Sequence, residues 1–320
     1  MPFGNTLNQL SIGKAKTFVN QVDNITENAP IVKAMPFVAA SDQLWDVSSE
    51  VQMVGSGMNS VDLNAPLQEI QLADALKQTQ LNIFGAKMFV PEDTAKLEGG
   101  PDKYFGKNRQ TFERQTGMDV ERNYIYNAFL PFALAQYAAG HTDCVQNAGG
   151  SGNTNYSLIV VRFDNTNMAG LYSPLCFKRD TFLDMSPING GNLYENGDSS
   201  SKYYKVLGYG LRMKTYMGVR MLSYRNISAI VNIKLSAATP MTKAMVEKAL
   251  LGARVGEAGK AMILCHPKVK LCLADIGKVQ YMQSSYPEKG VDFRIDTWDG
   301  VPIVTSYNFV DGAETDISLS

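Results

Sequence analysis

Histidine is nearly missing from the chain: His141 and His266 are the only two in 320 residues. The four cysteines, Cys144, Cys176, Cys265 and Cys272, form no CxxC pair. A structural zinc site needs four convergent ligands, so this pattern points to reduced, mostly buried thiols and to no metal or cofactor. Charge is also scarce, at 19% of residues, and its signs cancel: 30 Lys and Arg against 31 Asp and Glu leave a formal charge of -1. A protein that grips nucleic acid shows a basic excess, and a disordered one shows high net charge with few apolar residues. Neither applies, because 45% of the chain is hydrophobic. No apolar run approaches the roughly 18 to 20 residues of a membrane span. The first 24 residues lack the apolar stretch of a secretory signal, and Lys14 and Lys16 follow their apolar residues instead of preceding them. These absences place the protein in the cytosol or in something assembled there.

Catalytic motifs are missing too. No GxGxxG opens a helix, and neither GxSxG nor HExxH occurs. Gly256-Glu-Ala-Gly259-Lys260 resembles a phosphate loop weakly, but Arg254 stands where its first glycine belongs and Ala261 where the magnesium-binding hydroxyl belongs. A glycine-punctuated turn is the simpler reading. Cys144 and His141 lie three residues apart with no third group to orient them, which does not make a nucleophile and base. Cys265-His266, at the end of an expected strand and before a helix, is the better enzymatic candidate, because α/β enzymes keep sites at the carboxyl ends of strands.

What the chain does have is a sequence of unlike segments. Residues 1–30 are polar with sparse apolar anchors, an arm that orders only against something else. In APIVKAMPF, Ile31, Val32 and Met35 share one helical face behind Pro30. From Val38 to Phe89, short alternating stretches (Trp45-Asp-Val47, Val51 to Gly57, Val61 to Asn64, Leu81 to Phe84) predict a long two-stranded ribbon. An isolated hairpin is marginal in water, so it must rest on a neighbour. A long helix is expected from Pro101 to Tyr137, with Ile125, Ala128, Phe129 and Phe132 on one face, Gly117 and Pro131 breaking or bending it, and Gly140 ending it.

Tyr209 to Met221 alternates over thirteen positions, with Arg212, Lys214, Tyr216 and Arg220 opposite the Leu, Met and Val face. At roughly 3.3 Å per residue it would span about 40 Å, far beyond an ordinary strand. An α/β unit follows: a helix capped by Thr239 with Pro240 first, a strand Ala261–Cys265, and a helix from Pro267 to a stop at Gly277. The terminal hairpin, FRIDTW and VPIVTS, turns at Asp299-Gly300, with Pro302 marking an edge or a bulge.

An arm, a ribbon, a long kinked helix, a very long strand and an α/β unit, in that order, resemble the major capsid proteins of tailed phages with the Hong Kong 97 fold. The wording is similar to the branch found in epsilon-15-like short-tailed phages. The resemblance rests on NAPIVKAMPF before Trp45, Leu63-Asn64, Met168-Ala-Gly170-Leu-Tyr172, YGLRMKTYMGVRMLSYRNISAIVNIKL from Tyr209 to Leu235, and Gly300-Val-Pro302. The ribbon departs from the family's more basic, arginine-bearing tryptophan segment.

The resemblance implies an α+β fold: an N-terminal arm at 1–37, a ribbon or E-loop at 38–89, a peripheral domain from 90–145 and 203–235, and an axial α/β domain from 146–202 and 236–320. It also implies a non-enzymatic structural protein that assembles into hexamers and pentamers of an icosahedral shell around double-stranded DNA, in the virion, built in the bacterial cytoplasm. Partners would be copies of itself, a portal, a scaffolding protein and a decoration protein, with DNA contacted non-specifically at most. The residues expected at contacts between copies are Trp45, Leu63, Asn64, Lys77, Arg212 and Arg220. Lys77 is the only lysine between Val38 and Phe84, so it is the one ribbon candidate for the lysine crosslinks that some capsids of this fold make; a solvated surface lysine is the simpler reading. An encapsulin-like shell and a cytosolic hydrolase or transferase at Cys265/His266 are the alternatives.

Overall fold

The structure, a computed structural model, describes residues 28–54, 71–174, 184–237, 240–276, 279–286 and 291–319. Residues 1–27 of the expected arm, Leu63, Asn64, Cys176, Thr239 and Gly277 lie outside the described residues. Helix α1 (Pro30–Ala34) has its proline in the first turn and buries Ile31 and Val32, as the spacing predicts. Strand β1 (Phe37–Ala39) leads to β2 (Trp45–Val54) and β3 (Gln71–Gln80), which pair antiparallel in register over all ten residues, Trp45 facing Gln80 and Val54 facing Gln71.

The ribbon strands stop at Gln80. Leu81, which the alternation assigned to the ribbon, is fully buried, and β4 (Asn82–Pro91) joins a different sheet. A short helix α2 (Glu92–Leu97) precedes the long helix, which is built from α3 (Pro101–Asn123), a π-helical segment (Tyr124–Phe129) and α4 (Leu130–Ala138). Gly117 does not break it: α3 runs straight through this buried glycine, whose cost of about 1 kcal/mol is outweighed by the packing around it. The distortion falls before Pro131. A proline has no N–H to donate and its ring crowds the carbonyl four residues back, so the chain widens by one residue per turn just ahead of it. Gly140, at φ +98, terminates the helix as expected.

The central sheet has the strand order β13-β14-β15-β12-β6-β11-β5. Its members are β5 (Val145–Asn147), β6 (Tyr156–Phe163), β11 (Ile227–Ile233), β12 (Lys260–Cys265), β13 (Val279–Tyr286), β14 (Val291–Trp298) and β15 (Val301–Thr305). Every residue of β6 and β11 is buried, because helices cover both faces. One face packs Ile159, Val161, Ala229 and Leu264 against Tyr124, Ile125, Phe129 and Ala133 of the long helix. The other packs Leu158, Val160, Ile230 and Ile263 against α5 (Lys243–Gly252) and α6 (Pro267–Ile276).

Three details differ from expectation. Helix α5 begins at Lys243, and its cap is Thr242, whose hydroxyl accepts the Met245 N–H at 3.4 Å; Pro240 precedes the helix instead of opening it. Pro302 is not on an edge, because β15 lies between β14 and β12; it stands at the second residue of its strand, where pairing with β14 comprises only Thr297–Pro302 and Trp298–Val301. β13 was not expected at all, yet it pairs with β14 over eight residues. The turn at Asp299 (φ 48) and Gly300 (φ 83) is the two-residue type expected there.

The second sheet has β10 (Leu207–Met221) as its long member, fifteen residues flanked by β4 along most of its length. On its other side lie β7 (Met168–Tyr172), β8 (Asp184–Pro187) and β9 (Tyr194–Glu195), with β1 beyond β7. Leu211 and Met213 face inward on Val90 and Ala95 and on Phe105 at the start of α3. The long helix therefore serves two bodies, its first turns covering this sheet and its second half covering the central one.

Candidate assembly surface

The ribbon forms a two-stranded sheet of its own, and its base is tied to the body at several points. Asp46, fully buried, takes both arms of the Arg220 guanidinium, Nε to Oδ2 at 2.6 Å and Nη2 to Oδ1 at 2.8 Å. It also accepts the Ser41 N–H and the Ser48 hydroxyl. Burial acts to raise the Asp46 carboxyl, but the hydrogen bonds and charge of Arg220, with those of Ser41 and Ser48, outweigh it and hold the group below its ordinary value. Arg220 reaches on to the Asn165 carbonyl at 3.2 Å. On the other ribbon strand Lys77 Nζ donates to the Leu222 carbonyl at 3.2 Å, and the Leu81 N–H donates to the Leu44 carbonyl. Arg220 near the end of β10 and Leu222 just beyond it thus hold one leg of the ribbon each. Beyond these ties the ribbon exposes apolar side chains: Trp45 at 41%, Val47 at 42% and Leu76 at 75%. The register sets all three on one face of the ribbon, Val47 two residues from Trp45 and Leu76 opposite Ser49.

Of the residues expected at contacts, Trp45 is exposed, Lys77 lies at the ribbon base, and Arg212 stands on the outer face of the long sheet, donating to Ser186 Oγ at 3.1 Å. Arg220 is engaged inside its own chain by Asp46, which periodicity alone did not reveal. Leu63 and Asn64 lie outside the described residues.

A second junction was missed by the reading of the sequence. Glu121, buried on the long helix, accepts the N–H groups of Ile31 at 2.8 Å and Val32 at 3.3 Å through Oε2, and the Ser306 hydroxyl and Asn308 side-chain amide through Oε1. Asn308 also donates to the Asn28 carbonyl. One carboxylate therefore fastens the segment that follows the arm, the long helix and the C-terminal segment together. Burial raises its pKa, outweighing the four donors that lower it. The signal was present: counting back four from Ile125 along the apolar stripe lands on Glu121, a charged residue on the buried face.

The enzymatic candidate is closed off by packing. The Cys265 thiol is wholly buried among Val246, Val269 and Leu273, and burial pushes it up to about 12, so it carries no thiolate near neutrality. His266 is also buried and points into a different environment, accepting the Lys268 N–H at Nδ1 and lying beside Tyr156 and Tyr307. Cys144 is buried, donates to the Tyr224 carbonyl, and is pushed up to about 11 by burial and by Asp143, while His141 stacks on the Tyr224 ring at 3.7 Å instead of meeting the thiol. Among the described residues no group of His, Cys, Asp and Glu is placed to hold a metal.

No family model and no curated protein matches the chain. Solved structures do. A chain in the near-atomic structure of bacteriophage epsilon15 superposes with a TM-score of 0.51 at 14% identity, over 88% of each chain. The capsid of bacteriophage JBD30 is similar at 0.47 and 8% identity, over 87% of this chain and 89% of that one. The encapsulin complex of Synechococcus elongatus is similar at 0.43 and 10% identity, over 71% and 92%. With its ribbon, its long helix and long strand, and its helix-covered central sheet, the chain has the Hong Kong 97-like capsid fold.

Proposed function

We propose that this protein is the major capsid protein of a tailed phage, assembling with copies of itself into the hexamers and pentamers of an icosahedral shell around double-stranded DNA. The observation that carries the reading is the ribbon: ten paired residues on each strand, clamped at the base by Asp46–Arg220 and Lys77–Leu222, and exposing Trp45, Val47 and Leu76. A two-stranded sheet with exposed apolar residues gains its burial on another molecule. In this reading the ribbon, residues 45–80, is the overlapping loop, the sheet built on β10 belongs to the peripheral domain instead of being split at 202 and 235, and the helix-covered central sheet belongs to the axial domain. Trp45, Leu63, Asn64, Lys77 and Arg212 lie at contacts between copies. Arg220 supports such contacts by fixing the ribbon base.

The role is structural, without catalysis or cofactor, and its place is the virion, after assembly in the host cytoplasm. No described helix is long and apolar enough to cross a membrane. Portal, scaffolding and decoration proteins are the further partners of this reading, and a formal charge of -1 suits a wall that does not hold its DNA tightly. Sedimentation velocity of the purified chain tests it. Capsomers of five or six 35.1 kDa chains, or far larger closed shells, are expected, and a single species of monomer mass would overturn it.

A further inference from the structure

Past β15, residues 306–319 form a strap with a single bridge, Asn155 to Glu314, and no helix or strand of their own. Phe309 is buried in the main core, and Ile317 and Leu319 pack against it. On β11 the Asn232 side chain accepts the Ile317 N–H and donates to the Ile317 carbonyl, each at 2.9 Å, which seats the strap beside the central sheet.

Two buried carboxylates fasten this strap, and among the described residues neither meets a cation. Glu121 of the long helix takes the Ser306 hydroxyl and the Asn308 amide on Oε1, with the Ile31 and Val32 N–H groups on Oε2. Glu314, on the strap itself, takes the Tyr126 hydroxyl on Oε1 and the Ser157 hydroxyl on Oε2, each at 2.6 Å, and Tyr126 in turn accepts the Val310 N–H. All these donors are uncharged. A carboxylate taken out of water without a counter-ion is costly, and binding a proton relieves it. The hydroxyls permit this, because Ser306, Ser157 and Tyr126 can each turn from donor to acceptor when the carboxyl carries a proton. Burial raises both glutamates, outweighing the donors that lower them. Asp311 of the same strap is the contrast: Lys268, with Tyr156, holds it below its ordinary value, so it stays charged.

The other ionisable groups around the two glutamates do not supply the missing charge. Near Glu121, Asp119 and Arg122 of the helix, Lys33 of α1 and Tyr307 of the strap are exposed, while burial pushes Tyr124 up and keeps it neutral. Lys260 donates to the Ala34 carbonyl. Near Glu314, Arg122 acts on the Tyr126 hydroxyl, Tyr156 of β6 serves Asp311, and Asp316 is exposed. His266 faces Tyr156 and Tyr307; burial holds its imidazole below the ordinary value, with Asp311 and Lys268 acting on it in opposite directions.

We propose that the strap is a proton-operated latch on residues 28–36: with Glu121 and Glu314 protonated it lies closed over the long helix, and on losing those protons it opens and releases both segments. The coupling is geometric. Ser306 and Asn308 share the Glu121 carboxylate with Ile31 and Val32, and Asn308 also holds the Asn28 carbonyl, so the strap cannot lift without loosening α1. Opening puts both carboxylates in water, where they ionise near 4.5. The latch is therefore strongest below that value and loosens as pH rises through the folded values. It belongs to the single chain and does not depend on assembly.

Hydrogen exchange of the full chain at pH 5.5 and pH 8.0, corrected for the intrinsic pH dependence of amide exchange, is the test. Each proton released on opening changes the opening equilibrium about tenfold per pH unit once pH passes the folded value. Residues 28–36 and 306–319 are expected to open together, and about tenfold or more readily at pH 8.0 than at pH 5.5, while β6 and β11 keep their protection. Glu121→Gln with Glu314→Gln, which holds both groups uncharged, is expected to flatten that dependence, and His266→Gln is expected to leave it as in the unaltered chain. If the double variant fails to fold, the unaltered chain and His266→Gln still decide. The latch is overturned if opening ignores pH or falls as pH rises, or if the two segments open separately. It is equally overturned if the folded double variant keeps the full dependence, or if His266→Gln abolishes it.

Discussion

Asp46 and Arg220, 174 residues apart in sequence, meet in a two-pronged ion pair at the foot of the ribbon, with the carboxylate fully buried and the guanidinium nearly so. The pair joins β2 to β10 and so ties the foot of the ribbon to the long sheet. Arg220→Ala would leave Asp46 buried without its partner, and breaking a buried pair in this way costs about 3 to 5 kcal/mol. Chemical denaturation is expected to show a loss approaching that range, and hydrogen exchange is expected to speed up at residues 45–48 while the central sheet stays protected.

The same pair has a pH signature. A carboxyl held below its ordinary value gives stability that is present above the unfolded value near 3.8 and is lost as pH falls through the folded value. Acid denaturation of the unaltered chain should therefore include a contribution that Asp46→Asn removes. Equal acid sensitivity in the two proteins would show that the pair is not a stabilising element.

Glu121 works in the opposite direction. Its raised carboxyl gives a contribution that is full below the unfolded value near 4.5 and is lost as pH rises through the folded value. Glu121→Ala orphans the Ile31 and Val32 N–H groups along with the Ser306 and Asn308 donors, at about 1 to 3 kcal/mol for each donor left buried. Limited proteolysis is expected to cut the variant within residues 28–36 at a protease level that spares the unaltered chain there.

Gly208 has no room for a side chain. A Cβ there would stand 2.2 Å from the Val90 carbonyl oxygen and 2.6 Å from the Phe89 ring. Gly208→Ala is expected to lower stability by roughly 1 to 3 kcal/mol, the usual cost of overpacking, with faster hydrogen exchange at residues 88–91.

The thiols of Cys265 and Cys144 should stay silent toward a thiol reagent at pH 7.5 until the chain unfolds, and Cys265→Ala should assemble normally. Rapid labelling of Cys265 in the folded protein would reopen the enzymatic alternative.

The order of the elements was legible in the sequence because each carries its own period: the alternation of Tyr209 to Met221 gives β10, and Ile125 and Phe129 give the buried face of the long helix, which passes to Ala133 and leaves Ala128 half-buried because the π-helical segment widens the turn. What the sequence hid were relationships across distance. The chemistry of Asp46 and Arg220 is visible in the text, but nothing local says that they meet. Leu81 continues the ribbon's alternation and yet belongs to the body, since a change of sheet partner leaves no mark on a period of two. The π-helical segment followed from Pro131 in principle, but local spacing tells only that the helix must yield, not how. The cap moved from Thr239 to Thr242 because both residues satisfy the same local rule, and the packing of Val246 and Leu250 decides between them.

Electron cryomicroscopy of the purified, unaltered protein decides whether it builds a shell. Closed icosahedral particles are expected, in which each copy's ribbon lies on the next copy and buries Trp45, Val47 and Leu76. Isolated single chains, with those side chains still in solvent, would contradict it.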